Sequence, residues 1–323
     1  MATTTATPKQ APALIALLRT AYESPGQRVT LFGAVGGLVL LGLIYWSNLA
    51  HFYYAWTNDD NYSHGFLVPL ISLYFANQAA QRGRVDVRSG VGLGTALLLV
   101  AVLGRLGTVL VPVPFVGDFT LLLGIAGLGA LLFGTAALRR YWFAIFFLVF
   151  MIPLPIALYT RIASPLQLLV SQIASAVLNA TGLPVLCEGN KMTLPGGVQL
   201  FVAEACSGMR QLTGFLALTA AVAYLSARSV WYRSTVIASS IPIAMTANVA
   251  RVVLTGYIMH FNPKYASGMF HTLEGLLMMA FGLSLLRGGC WVLNQIASLF
   301  KTADIDSQGE REQVRTPIPL GGS

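Results

Sequence analysis

Of the 323 residues, 55% are hydrophobic and only 10% charged, and the mean hydropathy is +0.69; an ordinary soluble domain carries roughly 25% charged residues, so a water-soluble globular protein is excluded. The net charge of +8 comes from basic residues scattered in ones and twos between apolar blocks, which excludes the basic stripe of a nucleic-acid-binding protein. Three cysteines, Cys187, Cys206 and Cys290, are too few and too scattered for a disulfide framework or a zinc site.

Apolar blocks of about 20 residues recur along the chain, the length that crosses a hydrocarbon core as a helix, whereas a barrel would show alternating strands of about ten. The fold class expected is an all-α integral membrane protein. Residues 1–29 lack a short apolar core followed by a small-residue cleavage site, so they read as a cytoplasmic segment ahead of a retained first span. The predicted spans are about 30–50, 64–81, 90–111, 118–137, 141–159, 207–227, 234–259 and 270–290, eight in all, within one transmembrane domain over 30–290. Segment 162–182 is long enough for a ninth. Its Ser164, Gln167, Ser171, Gln172, Ser175 and Asn179 give it a polar face, however, which predicts a helix lying in the interface. From 183 to 204, Val, Leu and Thr runs are broken by EGN and LPGG, the pattern of short strands and turns; this predicts a small extracytoplasmic β-like cap inside an outer segment 160–205. Residues 291–323 are a cytoplasmic tail, and from 302 its polar, Pro- and Gly-containing sequence is expected to be disordered.

Orientation follows from charge. With the amino terminus inside, fourteen of the twenty Lys and Arg residues fall on cytoplasmic loops; Arg105, Arg161, Lys191, Arg210, Arg251 and Lys264 fall outside or within the membrane. Both termini are then cytoplasmic. Cys206 starts the sixth predicted span at its outer end and His271 starts the eighth. Arg251, 17 residues into the seventh, rises roughly 26 Å from the inner side, near the outer face.

A free cysteine in a membrane helix is ordinarily a small buried apolar group. Cys206 differs in its neighbours. It begins a helix, where unpaired N–H groups and the macrodipole favour a thiolate, and Glu204, Ser207 and Arg210 flank it. Cys187 and Cys290 have no such surroundings, although Cys187 is placed on the oxidising side and could pair with Cys206. An arginine at membrane depth costs several kcal/mol, so Arg251 is a functional residue by default, against the alternatives of snorkelling or a structural ion pair. Asn248, one turn earlier on the same face, could orient it. Glu274 lies three residues after His271, close enough to orient an imidazole or to make a plain helix pair. A thiol, an imidazole and a fixed oxyanion donor form the constellation of thiol acyl chemistry. A second outer cluster, HFYYAWTNDDNYSHGFLVPL, could be an aromatic belt with solvated acids; alternatively Asp59, Asp60 and His64 receive a substrate tail.

Three blocks, EACSGMRQLTGFLAL at 204–218, PIAMTANVARVVLTG at 242–256 and GMFHTLEGLLMMAFG at 268–282, resemble in order those of the exosortase/archaeosortase family, and NYSHGFLVPLISLY at 61–74 is similar to its amino-terminal block. The resemblance implies a bacterial inner-membrane cysteine protease or transpeptidase of about eight helices. Its substrates would be secreted proteins with a carboxy-terminal sorting signal: Pro-Glu-Pro, an apolar helix and a basic cluster. The family's nucleophile matches Cys206, its arginine Arg251 and its histidine His271. No metal or organic cofactor is called for, and the implied partners are the substrate's sorting helix, the bilayer and a polysaccharide or lipid acceptor. The other reading is a transporter or assembly component for surface polysaccharide that binds anions through Arg251. A transporter would usually carry paired broken helices or an internal repeat, and no repeat is evident.

Overall fold

The computed structural model describes residues 13–83, 90–111, 113–202, 209–262 and 269–315, with the backbone alone at 114, 209–210, 269–272 and 299–315. The chain divides into two compact units, Met1–Ile162 and Ala163–Ser323.

The first unit comprises α1 (Ala13–Glu23), α2 (Pro25–Ile44), α3 (Trp46–Asn58), a 3-10 turn (Asp60–Phe66), α4 (Leu67–Gln81), α5 (Val91–Leu110), α6 (Pro114–Phe147) and a second 3-10 turn (Leu148–Met151). α6 is two arms. At Gly134 the backbone takes φ 86° and ψ 170°, a region open only to glycine, and breaks the helix there. The arm before Gly134 packs on α2 and α5, while the arm after it packs on α4, where the Ser72 hydroxyl donates to the Ala144 carbonyl at 2.6 Å. α5 and the first arm of α6 touch backbone to backbone. A Cβ on Gly94 would stand 2.5 Å from the Leu131 nitrogen, and one on Gly127 would stand 2.9 Å from the Leu98 nitrogen. Lipid tails are as apolar as leucine, so helices in a membrane associate by such close packing of small residues and by polar contacts. One such contact is the Asn48 amide, which donates to the Asp118 carboxylate at 2.7 Å; both residues are buried.

Gly94→Ala is therefore expected to destabilise the chain by about 1–3 kcal/mol or more, because a backbone obstacle cannot rotate away. Gly92→Ala, with open space around the new methyl, is the matched control. Thermal unfolding in detergent separates the two, and equal midpoints would refute backbone contact as the glue.

The second unit contains most of α7 (Ile156–Ala180), strands β1 (Leu186–Glu188), β2 (Lys191–Thr193) and β3 (Gln199–Phe201), then α8 (Met209–Leu225), α9 (Val230–Ala238), α10 (Ser240–Phe261) and α11 (Met269–Arg315). The strands form an antiparallel sheet in the order β1-β2-β3, with Cys187 opposite Met192 and Met192 opposite Leu200. Gly189, at φ 65°, makes the tight β1–β2 turn that EGN foreshadowed. The polar stripe of α7 serves this sheet. The Ser171 hydroxyl donates to the Gly189 carbonyl at 2.7 Å, and the Asn179 amide accepts from the Val185 N–H at 2.7 Å and donates to its carbonyl at 3.1 Å. Met192, Leu194, Leu200 and Val202 then pack with Leu178 of α7 and Val252 of α10. Polarity that predicted an interfacial helix is explained by docked strands, and α7 joins the helices long and apolar enough to cross a membrane.

Among the described residues there are six such candidates: Pro25–Ile44, Val91–Leu110, Phe115–Met151, Ile156–Ala180, Val230–Phe261 and Leu273–Ser298. The chain is thus a mostly helical, multi-pass membrane protein, but the helices do not divide as the eight predicted spans do. Predicted spans 118–137 and 141–159 share one run broken at Gly134. Predicted span 64–81 shortens to the 15 residues of α4, since Asp59 caps a 3-10 turn that takes up its start; 207–227 is the 17-residue α8. The apolar windows of α2 and α5 are only 11% buried, an exposure suited to lipid and not to water. α11 stays helical to Arg315 where composition predicts disorder, consistent with a stretch free of proline that carries two each of Glu, Gln and Arg from 302 on.

Candidate functional site

α9 and α10 meet at Ser239 and Ser240, whose hydroxyls bond back to the Val236 and Ile237 carbonyls, while Pro242 supplies no N–H to the turn before it. From that joint α10 runs 22 residues with two working faces. One face, through Val249, Val252 and Val253, packs into the sheet cluster. The other carries Asn248, Arg251 and Thr255, at 3%, 7% and 2% exposure, towards α11. The spacing i, i+3, i+7 makes a single helical stripe.

α11 answers with Glu274, 6% exposed. Its Oε2 stands 3.9 Å from the Arg251 Nε, an ion pair too long for a hydrogen bond, and its Oε1 accepts from the Thr255 hydroxyl. The same hydroxyl lies 2.9 Å from the Arg251 carbonyl. The single Thr255 proton serves one of these acceptors at a time, and the guanidinium of Arg251 is paired with a carboxylate that Thr255 also contacts. A buried cation without such an acid would cost far more than the pair does. α10 continues ten residues past Arg251 to Phe261, about 15 Å of helix.

Cys206 and Glu204 lie outside the described residues. The chain enters that stretch from Val202, fully buried in the sheet cluster with its N–H bonded to the Asn190 carbonyl at 2.9 Å, and leaves it at Met209, the first residue of α8. Arg210 and His271 are placed as backbone only, the second residue of α8 and the third of α11. Glu274, expected to orient His271, has Arg251 and Thr255 among its partners. Cys187 and Cys290 are free thiols; the candidate partner of Cys187, Cys206, lies outside the described residues.

Asp59, Asp60 and His64 belong to the first unit. The Asp59 carboxylate caps the 3-10 turn, accepting from the Asn61 N–H at 2.8 Å and its side-chain amide at 2.9 Å; this gives it a structural task. Asp60 is exposed. Burial holds the His64 imidazole below its ordinary pKa, which favours the neutral ring. Thr255 was missed from the sequence, although its place four residues after Arg251, on the stripe begun by Asn248, was the available signal.

No curated protein and no solved structure matches the chain. A family model, described as transmembrane exosortase, matches residues 56–288, a range that takes in Cys206, Arg251, Glu274 and His271. That match covers most of the sequence: the chain belongs to the transmembrane exosortase family.

Proposed function

We propose that the chain is a membrane-embedded cysteine endopeptidase or transpeptidase that acts on carboxy-terminal sorting signals, of the Pro-Glu-Pro type, of secreted proteins at the periplasmic face of the bacterial inner membrane. The observation that carries this reading is the buried Arg251–Glu274–Thr255 cluster, a cation fixed in place between α10 and α11; His271 is the third residue of α11, and in sequence Cys206 precedes α8, the helix that packs on α10. A structural ion pair would be replaced at little cost by apolar packing, whereas a positioned guanidinium has a use at a carbonyl that becomes an oxyanion.

In this reading His271 takes the Cys206 thiol proton, and the thiolate attacks the scissile carbonyl. Arg251 donates to the developing oxyanion. Collapse breaks the C–N bond, His271 gives its proton to the leaving amine of the sorting helix, and the upstream fragment remains as a thioester on Cys206. Water or an amine on a polysaccharide or lipid acceptor then takes the acyl group, losing its proton to His271, and the thiolate is regenerated. Glu274 and Asn248 position Arg251, and Glu204 and Arg210 shape the electrostatics around the thiol.

Mass spectrometry of enzyme quenched in acid during turnover of a membrane-anchored substrate tests this. A thioester between Cys206 and the upstream fragment is expected. Processing without any adduct on Cys206, or an adduct on Cys187 or Cys290, would refute it.

A further inference from the structure

Gln211, near the start of α8, is 7% exposed, and among the described residues neither its Oε1 nor its Nε2 has a hydrogen-bond partner. Phe215, Thr219 and Ala223 follow it on the same buried stripe, and Phe215 and Ala223 pack with Ala244 and Ala247 of α10. Thr219, equally buried, returns its hydroxyl to the Leu216 carbonyl and is satisfied. An apolar residue at 211 would extend that core, so burying two unpaired polar atoms there costs the fold stability without any packing return.

The helix register puts those atoms beside the candidate site. Phe215 packs on Gly282 of α11, where a Cβ would approach its ring to 2.0 Å, and Glu274 lies eight residues earlier on that helix. α8 and α11 run in the same sense against an opposed α10. Gln211, one turn before Phe215, is thus about 6 Å below the Arg251–Glu274 pair, level with Asn248. A peptide entering here from the membrane meets no water, so the N–H and C=O of each unit need partners from the protein. A carboxamide supplies one acceptor and one donor in the matching geometry. This chain already uses that pairing once, at Asn179 and the backbone of Val185.

We infer that Gln211 is a substrate-positioning residue whose carboxamide pairs with the N–H and C=O of one peptide unit of the sorting segment, beside the scissile bond. The inference rests on the peptidase reading above for the nature of its ligand. The probe is a synthetic single-span peptide with Pro-Glu-Pro, an apolar helix and a basic end, bound to full-length Cys206→Ala protein in nanodiscs. Gln211→Leu should weaken binding about tenfold, as loss of a hydrogen-bonded pair does. Gln211→Glu should weaken it as well, since a carboxylate has no donor. A series of peptides with one backbone amide replaced by an ester should show a single position that weakens binding to the parent and adds nothing in the Leu variant. Identical ester profiles in both proteins would overturn the assignment. So would a Gln211→Leu chain that melts earlier or whose Cys206 is alkylated more slowly by iodoacetamide, for that residue would then hold the fold. Cleavage that needs Cys206 but ignores Gln211 defeats this inference alone. Binding through Gln211 with no cleavage by the wild-type chain defeats the peptidase reading and leaves the positioning role intact.

Discussion

Arg251→Lys is expected to lower processing about 100- to 1,000-fold while the protein accumulates in the membrane, the loss typical of removing one oxyanion donor. Lysine keeps the charge beside Glu274, so the buried pair survives, but a point charge cannot present a planar fork to both a carboxylate and a carbonyl. Arg251→Ala is a different experiment. It removes the Arg251 counter-charge from Glu274, 6% exposed, at a cost of about 3–5 kcal/mol, and poor accumulation would confuse stability with chemistry. The double variant Arg251→Ala with Glu274→Gln removes both charges and should restore protein level without restoring activity. Glu274→Gln alone keeps an acceptor for the Thr255 hydroxyl but takes that acid from buried Arg251; at equal protein level it should lose less activity than Arg251→Lys. Immunoblots of substrate and enzyme from the same membranes give both readings. Near-normal processing by Arg251→Lys would reduce the arginine to a structural charge, and recovery of activity in the double variant would end its catalytic role altogether.

Cys206→Ser is expected to lower processing by more than about 1,000-fold, with full-length substrate accumulating and the enzyme level unchanged. A serine hydroxyl in the same place lacks the few per cent of anion that a thiol already holds near neutral pH, and no added base is at hand to make up the difference. His271→Ala should be comparably severe, since the same imidazole serves both proton transfers. Cys187→Ser and Cys290→Ser are the controls. Cys187 is half-buried in β1, and Cys290 is half-buried on α11 against the Phe215 cluster; both are free thiols and both should leave activity intact. Full activity of Cys206→Ser, or loss with Cys187→Ser at normal protein level, would remove the cysteine mechanism.

Much of the second unit was legible in the sequence because its signals are local. EGN and LPGG mark turns through glycines that reach positive φ, as Gly189, Gly196 and Gly197 do, and the runs between them became strands. The stripe of Asn248 and Arg251 in an otherwise apolar segment marked α10 as the helix with a buried polar face. The partner of Arg251 was not legible. Glu274 is three residues from His271 in sequence and 23 from Arg251, and only the antiparallel packing of α10 on α11 brings its carboxylate to the guanidinium.

Composition and hydropathy determined by themselves that this is a helical membrane protein, since transfer from water to lipid is a sum over side chains and needs no knowledge of what they touch. Motif order determined the family for the same reason, being a property of the string. Tertiary structure alone decided what each polar residue in an apolar segment is for. Ser171 and Asn179 dock strands, Asn48 holds Asp118, Asp59 caps a turn, Arg251 meets Glu274, and Gln211 has no hydrogen-bond partner among the described residues. In sequence these residues look alike, each a polar side chain where lipid or core should be. They differ in whether another element completes their hydrogen bonds, and that depends on a packing register set by close glycine contacts such as Gly94 on Leu131 and Gly282 under Phe215, which no local pattern encodes.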